Sequence, residues 1–441
     1  MFTNYFKLAI KVLGRHKFFT FISLFGISFT LMILMLVTAF LDTELGSHEP
    51  MSKRDRMVFL SQVTLKNIET DTIMTIDTTI KNEVAVYDTT YDFSSNNTST
   101  SNSDAGFAFL NEYCRNIEGS EKETFYSPGS SFDIFINNNK LTFNGIYADA
   151  DFWKIFDFTF LEGKAFGETE VKNQALGLVI SKKAAVKYFG ENQSYVGKTI
   201  TLEGKNFKVL GVVRTMQGPQ GFNADVIMPY TNMTANQLEN REGFQGRFQG
   251  LFLAKTKKDR RIIQAEIKKK ATQMVMPNPD DYNVLELNAW TFPETYAKRL
   301  WYDEDATKSL KKLFLILTSL LLLFVLLPTL NLINLNISRI MERSSEIGVR
   351  KAFGASSGNI LVQFVFENVI LTIIGGVIGF VLASFLIYTI NNSQALGNVV
   401  LQFNGSIFIY SFLICLIFGV LSGIIPAYRM SKMQIAAALK Q

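Results

Sequence analysis

The sequence predicts an α+β membrane protein with four transmembrane helices, one before and three after a large α/β extracytoplasmic domain. Of the 441 residues, 48% are apolar, and four long runs contain no charged residue. The segment 42–306, of mixed polarity, separates the first run from the other three. Basic residues collect beside the runs. These features exclude an ordinary soluble enzyme.

The four charge-free runs predict the membrane spans. The runs are Phe18–Leu41, Leu313–Ile337, Asn368–Ile390 and Ser406–Tyr428, and they place the spans at 18–41, 313–337, 364–390 and 406–428. Each is near or above the roughly 20 residues that cross a bilayer core. Because each Leu, Ile or Phe favours insertion by about 0.3 to 0.6 kcal/mol, such runs should insert. The first run is too long for a cleaved signal peptide and lacks a small-residue cleavage site.

Residues 1–17 precede the first span. Apolar residues from Phe2 to Leu13 fall on one helical stripe, with Lys7, Lys11 and Arg15 on another. This pattern predicts an interfacial helix on the inner leaflet of the bilayer. An ordinary charged flank of a membrane helix is the alternative.

The distribution of basic residues predicts the orientation of the spans. Basic residues occur in segments 1–17 and 338–360 and in the tail 429–441, whereas the loop 391–405 has no charge. Both termini and the 338–360 loop are therefore predicted to be cytoplasmic, with 42–306 outside. The net charge of +5 then mostly reflects the basic residues that set the orientation of the spans. Since no basic patch is interleaved with aromatic residues, nucleic-acid binding is not predicted.

The large domain, 42–306, is predicted to contain two lobes. Strand and helix patterns flank a self-contained middle block, which predicts one lobe from 43–145 and 236–306 with a second lobe, 146–235, inserted in it. Within these segments the sequence predicts a polar loop over Thr89–Gly106 and helices over Phe107–Ile117 and Asp259–Thr272. It also predicts strands at "FDIFINN", "KLTFNGIYA" and "YNVLELNAW".

The stretch "YFGENQSYVGKTI" ends in Gly-Lys-Thr, like a phosphate-binding P-loop. A P-loop requires a glycine where this chain has Asn192, and it runs from a strand into a helix. Here a helical pattern, Ser181–Phe189, precedes an alternating strand pattern. The order is reversed, so the sequence predicts a turn between a helix and a hairpin.

No catalytic group of residues is found in the sequence, and no cofactor is predicted. Ser131 and Ser181 lack a histidine partner, and no Gly-x-Ser-x-Gly elbow is present. Two histidines cannot form a metal cluster. Cys114 and Cys415 are predicted at different membrane levels, where each is expected to be a small buried apolar residue. Motion or binding is therefore expected rather than chemistry.

The segment "RIMERSSEIGVRKAFGASSGNI", residues 339–360, predicts a short amphipathic cytoplasmic helix. Val349, Ala352 and Phe353 share an apolar stripe, and Glu346 precedes Arg350 in the favourable i, i+4 order. Gly354 provides a helix stop. Such a helix can dock in a groove of another protein, although a solvated loop is an equal alternative.

Three stretches resemble the MacB/FtsX-type ABC transporter permease family: "ERSSEIGVRKAFGAS", "QFVFENVILTIIGGVIG" and "GIIPAYRMSKMQIAAAL". The block "LVISKKAAVKYFGENQSYVGKTITLEGKNFKVLGVV" is similar to the extracytoplasmic domain of that family. The likeness covers nearly the whole chain in the order of the family: one span, a large domain, three spans.

The resemblance implies a non-catalytic permease subunit of the bacterial inner membrane, with 42–306 periplasmic. ATP would be hydrolysed by a separate cognate ATPase subunit docked on the 338–360 loop. The family also implies a dimer with a second permease copy or paralogue, a porter-like lobe, an inserted Sabre-like lobe and mechanotransmission. A periplasmic adaptor and an outer-membrane duct are further possible partners. The residues expected to couple to the ATPase are Glu342, Arg343, Glu346, Ile347, Gly348, Arg350, Lys351, Phe353 and Gly354.

Several residues in the spans fit packing or transmission of motion. Small-xxx-small glycine pairs allow helices to approach closely, either within the chain or across a dimer. A proline with asparagines below it suggests a bent second span, although the asparagines could bond within a static bundle. A carboxylate at the start of the third span is favoured by a helix N-terminus. The residues are Pro328, Asn331, Asn334, Glu367, Gly375, Gly379, Gly419, Gly423 and Pro426.

The sequence leaves the substrate open. A peptide, a toxin or antibiotic, or a lipoprotein would each fit a MacB-like permease. An FtsX-like activator of cell-wall hydrolases is an alternative, but the large domain disfavours it. The competing class is a membrane sensor or scaffold whose cytoplasmic loop recruits a signalling protein.

Overall fold

The fold is that of a computed structural model, and it consists of two compact units. One unit combines Met1–Gly46 with Lys311–Gln441, and the other, the large domain, is Ser47–Leu310. The structure describes residues 11, 13–15, 17–81, 84–136, 139–214, 224–238, 243–301, 305–342, 348–349, 352–354, 356–393, 395, 401 and 404–431.

The elements are numbered in chain order. The helices are α1 (Lys17–Leu45), α2 (Phe107–Tyr113), α3 (Phe152–Ile155), α4 (Glu168–Lys172), α5 (Lys182–Phe189), α6 (Ala235–Leu238), α7 (Arg260–Gln273), α8 (Phe292–Trp301), α9 (Ala306–Glu342), α10 (Ser357–Ser393) and α11 (Gly405–Ser431). The strands are β1 (Met57–Lys81), β2 (Val84–Ala105), β3 (Ser120–Ile136), β4 (Asn139–Ala148), β5 (Phe160–Gly163), β6 (Gly177–Ser181), β7 (Thr199–Leu202), β8 (Lys205–Val213), β9 (Val226–Pro229), β10 (Gln245–Gly246), β11 (Gln249–Ala254) and β12 (Val284–Thr291).

The apolar helices coincide with the predicted spans. Each predicted span lies inside α1, α9, α10 or α11. Among the described residues, the helices Lys17–Leu45 and Gly358–Ser393 are long and apolar enough to cross a membrane, and Phe408–Leu421 is a shorter apolar helix. The count of four spans stays a prediction. Most of the helix predicted over residues 1–17 lies outside the described residues.

A mixed sheet forms the frame of the large domain. In the described part of the chain its strand order is β10-β2-β1-β11-β3-β4-β9-β6-β8-β5, with β12 also paired to β1 and β7 to β8. The β4–β9 and β6–β8 pairs are parallel, and the other pairs are antiparallel. The domain is therefore mixed α/β, as predicted.

Both faces of the central sheet are buried. Val58 and Leu60 belong to one hydrophobic cluster, whereas Met57 and Phe59 belong to another. Because successive strand residues point to opposite faces, the two clusters lie on opposite sides of β1. All five residues of β6 are buried. This burial explains why such strands read as continuous apolar runs rather than as alternating ones.

Strands β1 and β12 pair at the end of the domain where the chain enters and leaves it. Val58 is paired with Thr291, and the pairing continues to Lys66 with Val284. β1 is the first strand after α1, and β12 is the last strand before α8 and α9. We call this end of the pair, Met57–Leu60 with Ala289–Thr291, the root of the sheet. Both connections to the apolar helices therefore start from one place.

Most predicted elements of the large domain are confirmed. The helix predicted over Phe107–Ile117 is α2, which ends at Tyr113. The helix predicted over Asp259–Thr272 is α7, and the predicted strands match β3, β4 and β12. The Gly-Lys-Thr stretch follows α5 and precedes β7, with Gly197 at a φ of 87° in the turn. This helix-to-strand order is the reverse of a P-loop, as predicted.

The prediction of a polar loop over Thr89–Gly106 was wrong. Its residues up to Ala105 belong to β2, which pairs with β1 from Val63 opposite Ser103 to Lys81 opposite Val84. The run of Ser, Thr and Asn gave no apolar alternation, so nothing local indicated a strand. The long neighbouring strand supplies the hydrogen bonds, and threonine itself favours strands.

The predicted division into two lobes stays a prediction. Strands from 146–235 join those of 43–145 through the β4–β9 pair, with Gly145 opposite Val226. Residues of both segments, such as Ile180 and Phe143, share one hydrophobic cluster. The two segments therefore form a continuous sheet.

A buried carboxylate joins β3, β4 and α3. Asp149 accepts hydrogen bonds from the Phe125 and Phe152 backbone N–H groups at 3.0 and 3.1 Å and from the Thr124 hydroxyl. Arg115 Nη2 lies 3.0 Å from Asp149 Oδ2, and the Arg115 guanidinium stacks on the Phe125 ring. Burial raises the pKa of Asp149. The hydrogen bonds and Arg115 oppose that shift and hold the elements together.

Asp149→Ala is expected to destabilise the large domain by about 3 to 5 kcal/mol, because it leaves the buried donors of Thr124, Phe125 and Phe152 without their acceptor. It also removes one of the two carboxylates beside Arg115. All three tryptophans, Trp153, Trp290 and Trp301, belong to this domain, so thermal unfolding followed by tryptophan fluorescence in detergent reports on it. The control is Asp133→Ala, which removes the exposed Lys140 ion pair and should leave the melting curve unchanged. Equal melting temperatures for the two variants would contradict the role of Asp149.

Candidate coupling site

Within the segment 339–360, the described residues before Gly354 are helical. The Phe353 N–H donates to the Val349 carbonyl at 3.1 Å, and Gly354 has a φ of +90°. The helix therefore stops at Gly354, as the sequence predicts. Val349 is 47% exposed and Phe353 is 88% exposed. These two residues, four apart, form an apolar stripe open to a partner.

Only some of the residues predicted to couple to an ATPase lie in the described part of the chain. Gly348 lies in the helical part and is buried, and the backbone of Glu342 ends α9. The other predicted coupling residues lie outside the described residues: Arg343, Glu346, Ile347, Arg350 and Lys351. Their coupling role stays a prediction.

Two glycines of α10 bring this helix close to α1 within the chain. A Cβ on Gly375 would lie 2.7 Å from Ile27 Cγ2, and one on Gly379 would lie 2.7 Å from the Ser28 carbonyl oxygen. Leu31 closes the contact beside Gly379. The small-xxx-small pair therefore packs two helices of one chain, which was one of the two sequence alternatives.

A third glycine brings α11 close to α10. A Cβ on Gly419 would lie 2.3 Å from the Thr372 hydroxyl oxygen, which itself donates to the Asn368 carbonyl at 2.9 Å. α10 thus contacts α1 on one face and α11 on another. Side chains at Gly423 and Pro426, and at Pro328 and Asn331 of α9, are not described, whereas Asn334 is exposed.

Glu367 lies almost three turns inside α10, which begins at Ser357, and it is 2% exposed. The expectation that a helix N-terminus stabilises this carboxylate was wrong, because that effect is confined to the first turn of a helix. Gln363 Nε2 donates to its Oε1 at 2.9 Å, one helical turn away. Next to it, Asn368 Nδ2 donates to the Phe364 carbonyl at 3.1 Å. Gln363, Glu367 and Asn368 thus form a buried polar group on α10. The role of Glu367 in packing or transmission stays a prediction.

α8 fastens the exit of the large domain to its sheet. The Arg54 guanidinium lies 4.3 Å from the Phe292 ring centroid, and Lys298 Nζ lies 3.9 Å from the ring centroid of Trp290. Glu294 accepts a hydrogen bond from the Thr291 N–H at 2.7 Å. The segment before α9 is thereby bound to β12 and to the turn that precedes β1.

Sequence reasoning missed Asp104, at the end of β2. Burial raises its pKa to about 6, while a hydrogen bond from Gln249 Nε2 at 3.2 Å and the charge of Arg299 in α8 oppose the shift. Tyr126 in turn donates to Gln249 Oε1 at 3.3 Å. The residue was hidden in the polar run taken for a loop. Had that run been recognised as a strand, an acid at its buried end would have been conspicuous.

No metal centre is found in the part of the chain that the structure describes: no group of three or more His, Cys, Asp or Glu residues there is placed to hold an ion. Cys114 is buried, and burial raises the pKa of its thiol to about 12, so it is not a reactive cysteine.

Apolar helices packed through glycines, with a large mixed α/β domain between the first helix and the rest, fit a transmembrane permease. A family model described as MacB-like periplasmic core domain matches residues 20–270, and one described as FtsX-like permease C-terminal matches residues 318–435. The chain belongs to the MacB/FtsX-type permease family.

Named relatives of this family are exporters. The chain is 28% identical to the pyoverdine export ATP-binding/permease protein PvdT of Pseudomonas syringae pv. syringae, over 66% of this chain and 42% of that protein. It is 22% identical to the macrolide export ATP-binding/permease protein MacB of Acinetobacter baylyi, over 69% of this chain and 43% of that protein. The alignments thus span less than half the length of these relatives.

Solved structures give weaker likenesses. The periplasmic region of MacB from Actinobacillus actinomycetemcomitans is 13% identical with a TM-score of 0.33, covering 45% of this chain and 83% of that one. A domain of a putative permease protein from Porphyromonas gingivalis is 16% identical with a TM-score of 0.34, covering 54% of this chain and 89% of that one.

Gly379→Val is expected to push α1 and α10 apart, because the new side chain meets the Ser28 carbonyl, which cannot move aside easily. The detergent-solubilised variant should aggregate at a temperature several degrees lower, measured by size exclusion after heating. Gly26→Val in α1 is the control, since nothing lies within 4 Å of a Cβ there. A normal aggregation temperature for Gly379→Val would exclude close packing at this point.

Asp104→Asn is expected to stabilise the large domain at pH 7.5 by about 1 to 2 kcal/mol, because it removes a partly buried charge and keeps the acceptor for Gln249. The folded-state pKa of Asp104 is raised from 3.8 to about 6, so the contribution of Asp104 to stability is full below 3.8 and is lost as pH rises through 6. The advantage of the variant should therefore shrink to nothing near pH 4. Thermal melting followed by tryptophan fluorescence from pH 4 to 8 measures the difference in stability between the variant and the native chain. A difference that does not change with pH would contradict the burial of this carboxylate.

Proposed function

We propose that the protein is the permease subunit of a MacB-like ABC transporter in a bacterial inner membrane, where it acts as a mechanotransmitter. The observation that carries the proposal is the match of both family models in the order of the family, at 20–270 and 318–435. The subunit itself carries out no chemistry. ATP hydrolysis on the cytoplasmic side would move the periplasmic domain.

ATP is bound and hydrolysed by a separate cognate ATPase subunit in this proposal. That subunit grips the short helix that ends at Gly354. The exposed side chains of Val349 and Phe353 support this docking, because an apolar stripe on a short helix suits a groove on a partner. The charged pair Glu346 and Arg350 would orient the helix in that groove.

Motion is transmitted through packed helices and through the root of the sheet. α10 follows the cytoplasmic helix directly and packs on α1 through Gly375 and Gly379. α1 leads to β1, and α9 follows α8 and β12. Since β1 and β12 are paired neighbours, displacements of α1 and α9 act on the same strand pair.

The working unit is a dimer of two permease copies or paralogues with two ATPase subunits. The periplasmic domain, divided into a porter-like lobe (43–145 and 236–306) and a Sabre-like lobe (146–235), would push its substrate outward without passing it through the membrane. The substrate class is a peptide, a toxin or antibiotic, or a lipoprotein. A periplasmic adaptor and an outer-membrane duct would receive an exported substrate. Both termini are cytoplasmic, and 42–306 is periplasmic.

Purification in mild detergent tests the docking. Exchange of the two charges, Glu346→Lys with Arg350→Glu, should lower co-purification of the ATPase subunit at least about tenfold, because a charged pair at an interface contributes a few kcal/mol to affinity. The matched control is Glu168→Lys with Lys172→Glu, an exposed i, i+4 pair with the same order in the large domain. It should leave the ATPase bound. A native chain that captures a signalling protein and no ATPase would instead support the sensor or scaffold.

A further inference from the structure

A basic segment between β11 and α7 has no role in the function proposed above. We call residues 255–261, Lys-Thr-Lys-Lys-Asp-Arg-Arg, the basic turn. Five of its seven residues are basic. Its one acid is already engaged, because Asp259 accepts hydrogen bonds from the Thr256 N–H and hydroxyl, each at 2.8 Å. The basic turn therefore carries a large excess of positive charge.

Most of this charge is exposed and unneutralised. Lys257 Nζ lies 2.6 Å from Asp55 Oδ2. Among the described residues, Lys255, Lys258 and Arg261 have no ion-pair partner, and all three are exposed. Lys122, exposed and likewise unpaired in the described part of the chain, adds to them, since β3 places it opposite Leu253 of β11.

The basic turn lies at the root of the sheet. Arg56 Nη1, just before β1, donates to the carbonyls of Ala254 and Lys255 at 3.1 and 2.9 Å. On the other side, Gln264 Nε2 of α7 donates to the Ala289 carbonyl at 3.1 Å, near the end of β12. The basic turn therefore lies beside the strand ends from which both connections to the apolar helices begin.

The connection from α1 to the root is compact. Within it the Met51 N–H donates to the His48 carbonyl at 2.7 Å, and the Arg54 N–H donates to the Met51 carbonyl at 3.0 Å. A segment folded into successive turns covers much less distance than an extended one, which would reach about 3.3 Å per residue. Since only residues 46–56 separate α1 from β1, the chain itself limits how far the root can lie from the end of α1.

We propose that the basic turn binds anionic lipid headgroups on the outer surface of the membrane that α1 and α10 cross. Lys and Arg side chains close to an anionic lipid surface are attracted to it, and the attraction is confined to about a Debye length. The basic turn has the charge and the position for this. The contact would set the height and tilt of the sheet root above the bilayer. The inference rests on the transmembrane assignment but not on the ATPase partner.

Fluorescence quenching of the full chain in nanodiscs tests the proposal. A bimane label on Glu118→Cys reports on the basic turn, because the adjacent Gly119 carbonyl accepts a hydrogen bond from the Lys255 N–H at 3.1 Å. Cys415 is replaced by serine, and buried Cys114 does not react. The quencher is a lipid with a nitroxide on its headgroup, in discs of phosphatidylcholine alone or with about 30% phosphatidylglycerol.

Anionic discs should quench the label at least about twofold more strongly than neutral discs, and about 0.5 M salt should remove the difference. Lys258→Glu with Arg261→Glu should abolish the difference. Lys268→Glu with Lys269→Glu, the same charge change on exposed residues about 15 Å further along α7, should not. Lys258→Gln with Arg261→Gln should give an intermediate value, and tryptophan emission checks that each variant is folded.

Two results would overturn the proposal. The first is quenching that does not depend on lipid charge, or an equal loss of quenching in the two charge-reversal variants, Lys258→Glu with Arg261→Glu and Lys268→Glu with Lys269→Glu. The other is binding of soluble inorganic polyphosphate that Lys258→Glu with Arg261→Glu abolishes, without any lipid dependence; this would assign the site to a soluble polyanion. If the chain separates from the nanodiscs and carries no lipid, the transmembrane assignment is refuted as well. Failure to find an ATPase partner would contradict only the proposed function and not the lipid site.

Discussion

The pairing of β1 with β12 is the constraint on which the large domain and its proposed role depend. Val58 lies opposite Thr291 at the root, so the first and last long strands of the domain are neighbours in one sheet. Apolar clusters cover both faces of β1 at Met57–Leu60, and such close packing resists local deformation. In the proposed function, a force that enters at the root would therefore act on the sheet as a whole.

Much of this architecture could be predicted from the sequence, because long apolar runs and capped amphipathic helices are local signals. Ser181 caps α5 through the Ala184 N–H, as a serine before an apolar helical stripe suggests. Strand β2 could not be predicted in this way. Its run of Ser, Thr and Asn gains its order from hydrogen bonds to β1, and a partner strand distant in sequence leaves no local trace.

The candidate site likewise has features that the sequence could predict and features that it could not. The apolar stripe of Val349 and Phe353 and the stop at Gly354 follow from helical spacing and from the conformational freedom of glycine, so they were accessible to sequence reasoning. The choice between intrachain and dimer packing for Gly375 was not, since spacing shows that a helix can approach closely but not which one. Asp104 also required the structure, because burial creates its raised pKa.

The stacking of Arg54 on Phe292 has a mechanical consequence. The guanidinium belongs to the linker that follows α1, and the ring belongs to the linker that precedes α9, with 4.3 Å between them. Because Arg54 is also buried, separating the two groups would expose a cation–π pair and its apolar surroundings to water. The contact therefore joins the segment after α1 to the segment before α9, and it disfavours independent rotation of the two segments.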